Sequence, residues 1–293
     1  MLPRKTAGRI LFSLCIASSF LFLPAPWARA SEDPFAALRL RLVKDGASPM
    51  HVHLVYQPGV VPYYKTVAGT LRIRESRLDY AQFLAPRVQA DARRFIRLHR
   101  PAFARAQELY GVDPFTIAAI LSVETRLGQY TGSTSTLAVL STFALMDDKA
   151  QRDRIWKLLS PREHARWGRE KFDAKLLQRS DWAYKELLAF LSWTEGSHHA
   201  ARSLEGSVMG ATGWPQFLPS SLVRYGIDGN GDGRVDLFHP ADAILSTANY
   251  LKGYGWRPDA TREEKKAVIY EYNHSGPYVD TIMELARRLR AGS

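Results

Sequence analysis

The stretch Asp113-Pro-Phe-Thr-Ile-Ala-Ala-Ile-Leu-Ser-Val-Glu124-Thr-Arg-Leu-Gly128 decides the fold class. Asp113 followed by Pro114 reads as a helix start, because the aspartate can cap a free N–H and proline needs none. Counting from Ile117, Ile120 is three residues on, Leu121 four and Glu124 seven. One helical face therefore carries three apolar side chains and a carboxylate. Burying a charge is unfavourable, so a carboxyl group on such a face tends to stay protonated. A carboxylic acid that is neutral near pH 7 can act as a general acid. A buried glutamate satisfied by a salt bridge or by backbone donors would carry the same pattern. Gly128, one turn on, leaves room for a group to approach.

Working outward, the helical pattern continues. Phe95, Leu98, Ala102, Phe103, Ala106 and Leu109 recur at spacings of three and four, and Pro101 must start a new helix or kink a long one. Ala183, Leu187, Phe190 and Leu191 mark another amphipathic helix. Pro240 opens one that stops near Gly253 or Gly255, Thr261 with Glu264 forms a capping box, and Tyr278 to Arg290 is the last. The fold class is mainly α. Residues 31–78 are the least regular, with strands expected at His51–Tyr56 and Thr70–Ile73. His51 and His53 would share one strand face, as a metal-binding pair or as a solvated edge. His198 and His199 show no zinc spacing and read as surface residues.

The chain has 293 residues, a formal charge of +11 and 46% apolar residues, which excludes collagen-like, disordered and polytopic membrane classes. Arg4, Lys5 and Arg9, an apolar run from Ile10 to Pro24, and Ala28-Arg29-Ala30 read as a cleavable signal peptide over 1–30. An uncleaved anchor is the other reading. The single cysteine, Cys15, lies inside that run, so an intrachain disulfide and a Cys-rich zinc module are excluded. Cleavage would remove Arg4, Lys5, Arg9 and Arg29, lowering the charge to +7. An exported basic protein meets anionic polymers or surfaces. The cations are scattered, with no basic stripe interleaved with stacking aromatics, which argues against nucleic acid.

Asp228-Gly-Asn230-Gly-Asp232-Gly233-Arg234-Val-Asp236 fits the start of an EF-hand loop. Oxygen donors fall at positions 1, 3 and 5, glycine at 6, and Arg234 supplies a carbonyl at 7. Position 12 is His239, which a hard cation would not choose, and Asp242 is the expected replacement. A structural Ca²⁺ over 228–242 is the favoured reading, and an Asx/Gly turn that binds nothing is the other.

Together these pieces resemble the lytic murein transglycosylase B family, membrane-bound and soluble murein-cleaving enzymes with a goose-lysozyme-like core. The resemblance spans 79–293. It rests on Tyr80-Ala-Gln-Phe-Leu-Ala-Pro86, Tyr110-Gly-Val-Asp-Pro through Gly128, Gly206 to Ser221, the Asp228 loop and Tyr272-Asn273-His-Ser-Gly-Pro-Tyr278, in that order. It implies Glu124 as the single acid/base, with Tyr80, Ser207, Gln216, Tyr272, Asn273 and Tyr278 lining sugar subsites and Arg179 on the glycan or its peptide. It implies cleavage between N-acetylmuramic acid and N-acetylglucosamine with a 1,6-anhydro product, in the periplasm, by a monomer working on glycan strands beside other cell-wall enzymes. Met146 to Gln178 is charged, matches none of the family's motifs and reads as a helical insertion. A hydrolytic muramidase would need a second carboxylate, with Glu75, Asp181 and Glu205 as candidates. A calcium-stabilised wall-binding protein without activity is the third reading.

Overall fold

In the computed structural model, which describes residues 33–73 and 79–292, helices follow one another with short connections. They are α1 (Ala36–Lys44), α2 (Pro49–Val55), α3 (Tyr64–Thr70), α4 (Pro86–Leu98), α5 (Arg100–Tyr110) and α6 (Pro114–Thr125). Next come α7 (Thr136–Ala144), α8 (Lys149–Lys157), α9 (Pro161–Trp167), α10 (Arg169–Trp193) and α11 (His198–Ser203). The last are α12 (Pro219–Tyr225), α13 (Pro240–Gly253), α14 (Arg262–Tyr272) and α15 (Gly276–Ala291). The expected signal peptide lies outside the described residues.

Most starts follow the chemistry that predicts them. Asp113 caps α6, accepting from Thr116 N at 3.1 Å and from Thr116 Oγ1 at 2.9 Å. The Thr261–Glu264 capping box closes on α14, and Pro101 sits in the first turn of α5.

Strands expected at His51–Tyr56 and Thr70–Ile73 are not strands. Ser48 caps α2 and Pro49 opens it, so Val52 and Val55 bury one helical face. A short β-like alternation yields to that packing. His51 and His53 then point apart: His51 is buried with Nε2 3.0 Å from Thr194 Oγ1, and His53 is exposed. They form no metal pair.

Two apolar cores result. The first gathers α1, α2, α3, α7 and α10, with Phe143, Phe172 and Phe190 fully buried. The second gathers α4, α5, α6, α13, α14 and α15, with Ile117, Ile120, Leu121 and Ile282 fully buried. Helix α12 packs on both α10 and α13. Residues 146–178 contribute α8, α9 and the start of α10, and charges there pair. Arg152 Nε meets Asp173 Oδ1 at 2.9 Å, and Arg169 bridges Asp153 and Asp173.

Two short strands, β1 (Thr134–Ser135) and β2 (Glu205–Gly206), pair antiparallel with Thr134 opposite Gly206. Gly132 has φ +92°, and a Cβ there would lie 2.1 Å from Gly206 O. Glycine thus lets the segment after α6 touch the 206–217 loop backbone to backbone.

Candidate active site

Glu124 lies near the end of α6, beyond the buried Ile117, Ile120 and Leu121. The residue is half-buried, and its carboxyl end is desolvated. Tyr278 Oη donates to Glu124 Oε1 at 2.6 Å. Tyr278 is 1% exposed and occupies the first turn of α15, where Ser275 caps the helix. Tyr80, in a 3₁₀ turn over Tyr80–Leu84, packs edge-on against Tyr278 at 6.4 Å between ring centres.

Burial raises the Glu124 pKa from 4.5 to about 7, against a lowering by the Tyr278 hydrogen bond. Among the described residues no cation and no second carboxyl contributes to that shift. Burial, and next the neighbouring Glu124 charge, hold the Tyr272 and Tyr278 phenols well above their ordinary pKa. Both remain O–H donors across the range in which Glu124 titrates. Of the second carboxylates a hydrolase would need, Asp181 and Glu205 are exposed and make no bond to Glu124. Glu75 lies outside the described residues.

Just beyond Glu124 the backbone turns left-handed at two non-glycine residues, Arg126 with φ 50° and Leu127 with φ 59°. Each such residue carries about 1–2 kcal/mol of strain. Hydrogen bonds from Arg126 N to Ser122 O at 3.1 Å and from Leu127 N to Leu121 O at 2.9 Å hold the turn. The group that approaches Gly128 is Trp214, whose ring lies 2.1 Å from where a Cβ would stand. Thr125 Oγ1 donates to Trp214 O at 2.9 Å and accepts from Gly128 N at 3.0 Å. Sequence reasoning passed over Thr125 and Trp214. No spacing links them, since Trp214 stands 89 positions after Thr125.

Trp214 belongs to the 206–217 loop. Ser207 Oγ shapes that loop by accepting from Met209 N at 3.2 Å and Ala211 N at 3.1 Å. Gln216, at φ 51°, donates its amide to Thr131 O and Gly213 O. Tyr272 Oη donates to Pro215 O at 2.6 Å, and its ring packs on Tyr250 and Phe217. Asn273 ends α14. The structure therefore joins Tyr278 to Glu124 directly, Tyr80 through Tyr278, and the loop bearing Ser207 and Gln216 through Thr125 and Tyr272. Arg179 is held elsewhere. Its Nη1 donates to Thr70 Oγ1 at 2.7 Å, its guanidinium lies 5.8 Å over Phe143, and burial pulls its pKa down. It makes no bond to the other site residues.

The Asp228 loop winds on its own N–H groups. Asp228 accepts from Gly231, Asp232 and Gly233, and Asn230 Oδ1 accepts from Asp232 N. Asp242, fully buried, accepts from Gly229, Asn230 and Asp236 N at 3.0, 3.2 and 2.8 Å. It anchors the loop onto α13, and like Asp228, which also accepts three N–H groups, it keeps a lone pair beyond those bonds. Among the described residues no three His, Cys, Asp or Glu side chains converge as a metal cluster. The carboxylates of Asp228 and Asp232, the Asn230 amide and the Arg234 carbonyl are still the hard oxygens that calcium takes, and each keeps lone pairs beyond its N–H bonds. The loop reaches the site through Leu237, whose carbonyl accepts from Trp214 N at 2.9 Å.

Residues 35–266 match the family model described as a transglycosylase SLT domain, running through both 35–78 and 146–178. The membrane-bound lytic murein transglycosylase B of Escherichia coli (strain K12) is 33% identical over 162 residues, 55% of this chain and 37% of that protein. The match thus spans little more than a third of the curated relative. The catenated lytic transglycosylase of Pseudomonas aeruginosa superposes with a TM-score of 0.71 at 22% identity, covering 89% of this chain and 98% of that one. An Escherichia coli lytic transglycosylase in complex with calcium superposes at 0.59 and 21%, covering 87% and 88%. The fold is the mainly helical, lysozyme-like one. The chain belongs to the transglycosylase SLT domain family.

Proposed function

We propose that this family member cleaves the β-1,4 bond between N-acetylmuramic acid and N-acetylglucosamine in peptidoglycan, with Glu124 as its single acid/base. One observation carries the reading: a desolvated carboxyl with its pKa raised to about 7, hydrogen-bonded by Tyr278 and shifted by no second carboxyl among the described residues. In acid form Glu124 gives its proton to the glycosidic oxygen, and the C1–O bond breaks as the substrate's 2-acetamido oxygen closes on C1. The carboxylate left behind is steadied by Tyr278. It then takes the proton of the muramyl C6 hydroxyl. That oxygen displaces the acetamido group from C1 and closes the 1,6-anhydro ring. Glu124 ends protonated and no water is consumed, so the reaction is a lyase rather than a hydrolase. Tyr80, Tyr272, Ser207, Gln216 and Asn273 supply ring faces and hydrogen bonds that hold the sugars and exclude water.

Asp228, Asn230, Asp232, the Arg234 carbonyl and Asp242 would hold a calcium ion. Bound there, calcium supplies rigidity to the loop that positions Trp214. The leader at 1–30 and the basic charge favour work in the periplasm.

The test is mass spectrometry of fragments released from purified sacculi by wild type and Glu124→Gln, followed by borohydride reduction. Fragments one water lighter than hydrolysis products, resistant to reduction and missing with the variant, are expected. Reducible ends would make the enzyme a muramidase. Release by Glu124→Gln would remove Glu124 from its role.

A further inference from the structure

Helix α12 starts without a cap of its own. The side chains of Ser48, Asp113, Ser135, Thr261 and Ser275 cap α2, α6, α7, α14 and α15 from the residue before each. The equivalent residue of α12 is Leu218, whose side chain has no polar atom to offer. The acceptor comes instead from 34 positions back in the sequence. Glu186, on α10 and 6% exposed, accepts from Ser220 N on Oε2 at 2.9 Å and from Ser220 Oγ on Oε1 at 2.8 Å. Free N–H groups at a helix start favour an anion, and a carboxylate makes stronger, charge-assisted bonds than a hydroxyl would. The start of α12 is thereby tied to a helix of the first core rather than to its own flanking chain.

That tie bears on what precedes α12. Gln216 stands four residues before Ser220 at φ 51°, and next to it Phe217 exchanges backbone hydrogen bonds with Thr212 at 2.8 and 3.1 Å. A left-handed residue other than glycine persists where its surroundings over-determine it. The 206–217 loop is held at its entry by the pairing of Gly206 with Thr134, and Glu186 holds its exit.

We propose that Glu186 is a positioning residue. Acting through Ser220 and the start of α12, it holds the 206–217 loop in the geometry in which Ser207 and Gln216 meet the glycan. The inference rests on the peptidoglycan reading of the site, and it extends that reading to a residue of α10 that makes no bond to Glu124. Its effect is on binding rather than on proton transfer, which separates it from Tyr278.

The experiment compares the full chain with Glu186→Ala, Glu186→Gln and Ser220→Ala. Calorimetry with an N-acetylglucosamine oligomer gives Kd without turnover, soluble glycan strands give KM and kcat, and amide exchange read by mass spectrometry follows residues 206–220 against α6. Glu186→Ala should raise Kd and KM about tenfold each, leave kcat within about threefold, and speed exchange across 206–220 about tenfold with α6 unchanged. Glu186→Gln should recover most of the loss, because its Oε1 still accepts from Ser220 N and its amide can donate to Ser220 Oγ. Ser220→Ala keeps the N–H bond and should raise Kd about threefold. Unchanged Kd and unchanged loop exchange in Glu186→Ala overturn the proposal. So does a fall in kcat with KM and Kd in place, a Glu186→Gln no better than Glu186→Ala, or faster exchange in α6 as much as in the loop. Should Glu186→Ala fail to fold, an unchanged Kd in Ser220→Ala overturns the proposal and the threefold rise upholds it. A wild type that binds no oligomer also overturns it. A wild type that gives the expected binding pattern but releases no anhydro fragments leaves Glu186 in its role and removes the reaction.

Discussion

Two regions of this molecule take ionisable groups out of water, and they treat them in opposite ways. Around α8 and α10, Arg152 is 9% exposed and fully paired, meeting Asp173 at 2.9 Å and the carbonyls of Met146 and Asp147 at 2.7 and 2.8 Å. Nearby, buried Glu186 accepts from both Ser220 N and Ser220 Oγ at the start of α12. At the end of α6, Glu124 is desolvated with a single phenol for company. The first arrangement keeps a charge in place by surrounding it with partners. The second withholds partners, so the carboxyl keeps its proton to near neutrality and can later give it away. Burial supplies a movable proton where compensation is missing, and a scaffold where compensation is complete.

The comparison breaks most sharply at Glu124. Glu124→Gln should lower turnover at least about a thousandfold, since among the described residues no other carboxyl shares its site. The same change should stabilise the fold. The folded pKa of about 7 exceeds the ordinary 4.5, so the penalty is absent below pH 4.5, grows between 4.5 and 7 and is complete above. The variant should gain about 1–3 kcal/mol at pH 8 and almost nothing at pH 4, read from urea unfolding at both pH values. An equal gain at the two pH values would mean that Glu124 is compensated after all.

Arg152→Met tests the other side. It strands Asp173 beside Arg169 alone and leaves two carbonyls unpaired, with an expected loss of about 3 kcal/mol. The pH dependence of turnover should stay in place, and a shifted profile would show that the two regions are coupled. Tyr278→Phe sharpens the contrast more gently. It removes the one hydrogen bond that lowers the Glu124 pKa, so the alkaline limb of the rate profile should move to higher pH while turnover falls about tenfold. A limb moving to lower pH would refute the direction of that bond. The smallest effect is expected at the Asp228 loop. Asp232→Ala should abolish a calcium-induced rise in melting temperature of a few degrees. A rise that persists would place the ion elsewhere.

Much of this contrast could be read from residue order alone. The Asp113–Pro114 start, the phase of Ile117, Ile120 and Leu121, and the capping box at Thr261 are local chemistry, so the helices they announce are present. Residues 49–70 misled because His-Val-His-Leu-Val alternates like a strand while its packing is set by α10 and the Thr194 hydroxyl, far along the chain. The Ser48-Pro49 pair was the local signal for a helix there. Glu124 was legible as a carboxyl on an apolar face. Whether it was paired was not, because its environment is built by Tyr278 and Trp214 from distant segments. Arg179 could not be placed by spacing on a long helix, and only tertiary structure shows it turned to Thr70.

The contact between Tyr278 and Glu124 joins positions 154 residues apart. Such a long loop closes late when a chain gathers its structure, after the local helices have formed. Without α15 in place, the carboxyl at the end of α6 lacks the phenol that donates to it. The donor that the proposed reaction relies on to steady the Glu124 carboxylate thus comes from a long-range contact, not from α6 alone.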